Sequence, residues 1–111
     1  MDEIENYYDD QGNFVVDEYL KYLHENSRVL SDEAELVLSA RGGDKLARKK
    51  LVASYLFITA ELALRLAPPA MEPLRAIQEA NLVLMRIAIA GIAKPASALG
   101  PAIEEHFAGL Q

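Results

Sequence analysis

Residues 44–66 read DKLARKKLVASYLFITAELALRL, from Asp44 to Leu66, and this stretch decides the fold. Its apolar residues Leu46, Leu51, Val52, Tyr55, Leu56, Ile58, Leu62 and Leu66 recur at three- and four-residue steps, the spacing of one helical face turned to a core. Asp44 supplies an N-cap carboxylate for the first exposed amides. Pro68-Pro69 closes the segment, because proline clashes with a continuing helix and biases its predecessor away from one. One long helix over 44–66 is predicted.

Working upstream, Gly42-Gly43 is the punctuation expected after a helix. Ser31, followed by Asp32 and Glu33, reads as the N-cap of a helix running to about Arg41. Before it, Val15, Val16, Tyr19, Leu20, Tyr22 and Leu23 mark a helix from Phe14 to about Asn26. Residues 1–13 are polar and acidic, end in Gln11-Gly12-Asn13, and read as a flexible lead-in. Downstream, a helix is predicted from Glu72-Pro73 to Ala90 or Gly91, with proline tolerated in its first turn. Lys94-Pro95 then breaks the chain, and Pro101–Ala108 forms a short last helix. No segment alternates with strand period. The expected architecture is all-α: a compact bundle of four to five helices forming a single domain over 14–111, behind the acidic segment 1–13.

The composition agrees. The chain has 111 residues, one domain's worth, with 51% hydrophobic and 25% charged residues, a globular balance. With no Trp and few aromatics, the core is built from Leu, Ile, Val and Ala, a helix-favouring palette. The absence of cysteine excludes disulfides and thiolate metal sites. The longest apolar stretches, 51–66 and 82–93, carry Glu61 and Arg86 and are shorter than the ~20 residues of a bilayer crossing. The start Met1-Asp2-Glu3-Ile4-Glu5 lacks the basic and apolar regions of a signal peptide, so a cytoplasmic protein is expected.

Charge is unevenly placed. Residues 1–35 hold eleven acids against Lys21 and Arg28, a balance of −9, whereas the remainder is +3. An acidic head on a mildly basic body disfavours bulk nucleic-acid binding, so DNA binding is expected to be weak or absent. The head reads either as a solvated tail or as an arm that folds over the basic patch or mimics nucleic acid.

Two stretches carry a resemblance. Gly43-Asp44-x-x-Ala47-Arg48-x-x-Leu51-Val52-x-x-Tyr55-Leu56 is similar to the run that opens region 2.1 of the bacterial sigma-70 family of RNA polymerase initiation factors. Ile77-Gln78-Glu79-Ala80-Asn81-Leu82-Val83-Leu84-Met85-Arg86 resembles that family's region 2.2. A weaker similarity to the end of region 1.2 lies in Tyr19-Leu20-Lys21 and Val29–Glu33, so the resemblance spans roughly residues 15–90. It implies a fold like the sigma region 2 core. It also implies docking on the clamp helices of the polymerase's largest subunit through Gln78, Glu79, Asn81 and Met85, with Arg75 at a neighbouring contact position.

The departures shape the expected function. Arg75 reverses an acidic charge usual in the family, and Ala80 and Val83 replace two customary glycines. Residues 87–102 contain no aromatic, although the family uses aromatics there to capture flipped promoter bases. No helix-turn-helix like that of region 4 is expected within these 111 residues. The expectation is a sigma-like regulatory or adaptor protein that binds a protein partner without melting a promoter itself.

On a helix Gln78, Asn81 and Met85 share a face, while Ile77, Leu84 and Ala88 form an inward stripe beside it. The nearly all-apolar run Leu82–Ala93 belongs to the core, or to the core and a homodimer interface. The alternative function is accordingly a divergent helical protein that homodimerises or binds another regulator. Lys45, Arg48 and Lys49 share a face and are candidate nucleic-acid contacts. His24-Glu25 and Glu104-Glu105-His106 lack the paired-histidine spacing of a helical zinc site, so no metal is expected. No phosphate loop or nucleophile constellation is present, so neither a cofactor nor catalysis is expected.

Overall fold

The computed structural model describes residues 15–26 and 32–110, and these described residues form five helices. They are α1 (Val16–Asn26), α2 (Glu33–Arg41), α3 (Lys45–Leu66), α4 (Pro73–Ala90) and α5 (Pro95–Gly109). No strand occurs among the described residues, so the fold is an all-α bundle. None of these helices is long and apolar enough to cross a membrane. The acidic lead-in 1–13, the start of the first helix at Phe14 and the Ser31 cap lie outside the described residues.

The long helix starts as its sequence dictates. Asp44 Oδ1 accepts from the amides of Leu46 (3.0 Å) and Ala47 (3.3 Å), satisfying two of the orphan donors at a helix start. The end at Leu66 and the whole span of α4 also match the expected bounds. Inward and outward faces of α3 differ from expectation at two positions: Leu46 is 61% exposed and Ile58 40% exposed. The buried residues Ala47, Leu51, Tyr55, Thr59 and Ala63 instead follow every fourth position. Each such step advances about 40° around the helix, so the contact stripe rotates along α3. Ile58 lies at the azimuth of Leu51, but by that level the stripe has moved round to Thr59.

The last helix is the larger correction. Lys94-Pro95 does not separate a loop from a helix at Pro101; Pro95 is the first residue of a single helix, and Pro101 lies inside it. Proline at the first position forfeits only an amide that has no intrahelical partner. At Pro101 one internal bond is lost, but Gly100 has no Cβ to meet the ring, and Ser97, whose carbonyl is freed, is exposed. The buried residues Pro95, Leu99, Ile103 and Phe107 form one stripe at four-residue steps, and its burial holds the helix across the proline.

Two clusters make the core. The larger joins Tyr19 and Leu23 of α1, Tyr55, Ala60 and Ala63 of α3, Ala76, Ile77, Ala80 and Leu84 of α4, and Leu99, Ile103 and Phe107 of α5. The smaller joins Leu36, Val37 and Ala40 of α2 to Ala47 and Leu51 of α3 and Ala88 of α4. The start of α3 therefore meets the end of α4, and the two run antiparallel as the central pair.

Candidate partner-docking site

The central pair is held on one flank by α2 through polar contacts that reach across helix ends. Arg41, the last residue of α2, donates from Nε (3.2 Å) and Nη2 (2.7 Å) to the carbonyl of Gly91. A guanidinium suits the negative end of α4. Gly91 itself adopts φ +64°, and the bonds from its amide to Ala88 and from Ile92 to Ile87 form a Schellman closure. A side chain at Gly91 would run into Arg41, with its Cβ 3.0 Å from the Arg41 Cα. Arg48 of α3 donates from Nε to the carbonyl of Ala40 (3.0 Å), capping α2 in turn. The Tyr55 hydroxyl donates to Glu33 Oε1. Burial first, and then the Glu33 carboxylate, push the Tyr55 hydroxyl up to about 12, although the Ala96 amide pulls the other way.

Elsewhere the pair is left open. A groove of about 520 Å³ runs between α3 and α4, lined by Lys45, Arg48, Lys49, Val52, Ala53 and Leu56 from α3 and by Asn81, Met85, Ala88 and Ile89 from α4. The α3 wall, from Lys45 to Leu56, spans twelve residues, roughly 18 Å of helix. Its floor is apolar and one end is cationic. Met85 and Ile89 stand at its edge, 48% and 50% exposed.

Asn81 is the exceptional group in that wall. It is 7% exposed, and neither Nδ2 nor Oδ1 has a hydrogen-bond partner among the described residues. Burying an amide without partners costs free energy on the order of 1–3 kcal/mol by mutational measures. Thr59 Oγ1 is also unpaired, but it is fully buried and not among the groove's lining residues. Among the described residues, Asn81 alone joins an unpaired buried group to an accessible surface.

The sequence-derived site residues divide across α4. Gln78 and Met85 are exposed together, with Arg75 one turn before Gln78 and Leu82 between them. Asn81 does not share their exposure: it turns toward α3, because 60° of rotation from Gln78 is enough to reach the groove wall. Glu79 lies on the other flank, where its Oε1 is 2.8 Å from His106 Nε2, tying α4 to α5. Of the basic residues, Arg48 is committed to α2 while Lys45 and Lys49 remain exposed at the groove's end.

Val52 and Leu56 were not among the sequence-derived site residues, and Ile89 was named only within the run Leu82–Ala93. The signal available was that α3 has apolar residues on more than one face, more than a single packing stripe needs. The run Leu82–Ala93 likewise splits, with Val83, Leu84, Ile87 and Ala88 buried and Leu82, Ile89 and Ile92 exposed. A second cleft, between α4 and α5, is lined by Arg86, Glu105 and His106 among others, and His106 is already tied to Glu79. Among the described residues no group of histidines and carboxylates is arranged to hold a metal ion. Comparison of the chain with protein-family models, curated proteins and solved structures found no match.

Proposed function

We propose that this chain is a small sigma-factor-like adaptor that docks a protein partner on the α3–α4 groove and the adjoining α4 ridge, with no catalysis and no promoter melting of its own. The observation that carries the reading is Asn81, a buried amide with both polar atoms unpaired on the wall of an apolar groove. A partner helix laid in the groove would supply apolar contacts to Val52, Leu56 and Ile89 and hydrogen bonds to that amide. Gln78 and Met85 extend the surface, and Arg75 sits at its far end. RNA polymerase core is the partner that the sequence resemblance implies.

The test is capture of core polymerase by the full chain at low salt, with Asn81→Leu and Gln78→Ala as variants. Capture is expected, with a loss of about tenfold or more in affinity for Asn81→Leu at an unchanged or raised melting temperature. No capture by the unaltered chain sinks the polymerase reading.

A second reading rests on the exposed apolar residues Leu82, Ile89 and Ile92, which suit a homodimer through 82–93. In the same samples, light scattering separates it: a dimer that Leu82→Asp dissolves would move the surface from an external partner to a second copy. Nucleic-acid contact through Lys45, Arg48 and Lys49 is weakened as a reading, since Arg48 is already engaged and the remaining two lysines flank an apolar floor.

A further inference from the structure

The groove specifies its occupant in three ways. Its floor of Val52, Leu56 and Ala88, with Met85 and Ile89 at the edge, asks for apolar side chains. Asn81 asks for a donor and an acceptor. Lys45 and Lys49, exposed at one end and without a carboxylate lining the groove beside them, ask for negative charge.

One segment of the chain itself has all three properties. Residues 1–14, MDEIENYYDDQGNF, carry five carboxylates (Asp2, Glu3, Glu5, Asp9 and Asp10) and no Lys or Arg. Ile4, Tyr7 and Tyr8 stand at the i, i+3, i+4 spacing of an apolar helical stripe. Asn6, Gln11 and the two tyrosine hydroxyls offer donors and acceptors.

We infer that this acidic segment docks in the α3–α4 groove of its own chain, placing Ile4, Tyr7 and Tyr8 on the apolar floor, a polar group against Asn81, and carboxylates toward Lys45 and Lys49. The inference rests on the proposed function only in taking the groove to be a docking surface. It does not depend on who the external partner is. Residues 9–14, left between Tyr8 and the described fold, span up to about 20–22 Å when extended, and α1, which follows them, packs on α3, the helix that forms one wall of the groove. Tethering makes the segment's effective concentration millimolar, enough for a weak contact to be populated. A partner of the groove then competes with the segment, and its apparent affinity is lowered by the fraction of chains left open.

The absence of cysteine allows a clean test in the full chain. A nitroxide placed on Gln11→Cys should quench the methyl signals of Met85, Ile89 and Val52 while sparing Ile103, which is buried against α5's neighbours. Lys45→Glu with Lys49→Glu, both on exposed positions, should restore those signals, as should high salt. Undiminished Met85, Ile89 and Val52 signals in the labelled chain would overturn the inference. So would quenching that ignores both charge reversal and salt, since charge is what selects this segment. Quenching seen only when spin-labelled and isotope-labelled chains are mixed would replace it by a second copy.

None of these samples contains a partner, so failure here is separable from failure of the polymerase capture. Where a partner binds, replacing the five carboxylates by amides should raise its affinity ~10-fold, the factor for a groove closed in about nine chains of ten.

Discussion

The two sides of the α3–α4 pair treat polar groups in opposite ways. At the junction with α2, Arg41, Arg48 and Tyr55 each reach an acceptor on another element, and two of the acceptors are carbonyls at helix C-terminal ends. In the groove, the buried Asn81 amide reaches nothing among the described residues, and methionine and isoleucine side chains stand half exposed beside it. A junction that satisfies its polar groups is finished by folding. A groove that buries an amide without satisfying it carries a polar cost that folding has not removed, and we rest the docking proposal on that cost. The contrast separates residues that hold the fold from residues available to function.

The contrast breaks most readily at Gly91. Gly91→Ala forces an L side chain into left-handed backbone and into Arg41, displacing the guanidinium that caps α4. We expect a loss of about 2–3 kcal/mol or more, the sum of ~1 kcal/mol for the backbone and the cost of moving α2. A thermal melt followed by circular dichroism should fall by about 10 °C. A fall of only a degree or two would mean that the junction is not the closed region described.

Tyr55 gives a smaller effect with a pH signature. Its folded value near 12 exceeds the ordinary 10, so the neutral hydroxyl is the form the fold favours. The corresponding stability is complete below pH 10 and is lost as pH rises from 10 toward 12. Tyr55→Phe should cost about 1.5–2 kcal/mol at neutral pH, the low end for a hydrogen bond to a charged group because the pair is only part-buried, and should flatten that alkaline decline. Urea midpoints measured at neutral pH and near pH 11 test both parts.

Met85 should show the smallest effect on stability. At 48% exposure, Met85→Ala is expected to change unfolding free energy by about 0.5 kcal/mol, against 2–5 for a buried methionine. Its effect should fall on partner capture instead. Destabilisation on the scale of a core truncation would place Met85 in the finished part of the molecule and remove it from the docking surface.

Much of this was legible in the sequence. The Asp44 cap, the prolines at 68, 69 and 73 and the glycine at 91 are local signals, and they set the bounds of α3 and α4 because capping and proline sterics act within a few residues. The expected break at Pro101 failed because a distant event outweighed a local one. Burial of Leu99, Ile103 and Phe107 against α3 and α4 exceeds the cost of one missing hydrogen bond. The site was legible in part. Gln78 and Met85 were placed together by helical spacing; Glu79, about 100° round the helix from Gln78, is paired instead with His106, 27 residues downstream.

The sequence by itself determined that the chain is helical, where its central helices start and stop, and that acid and base are segregated along it. These follow from backbone propensity, capping and charge counts, which need no knowledge of neighbours. Only the tertiary structure decided that Asn81 faces α3 instead of solvent, that Arg41 and Arg48 serve helix ends, and that one seam of the central pair stays open. Those outcomes depend on how helices rotate and cross when packed, and a contact stripe that turns about 40° every four residues cannot be followed from spacing alone.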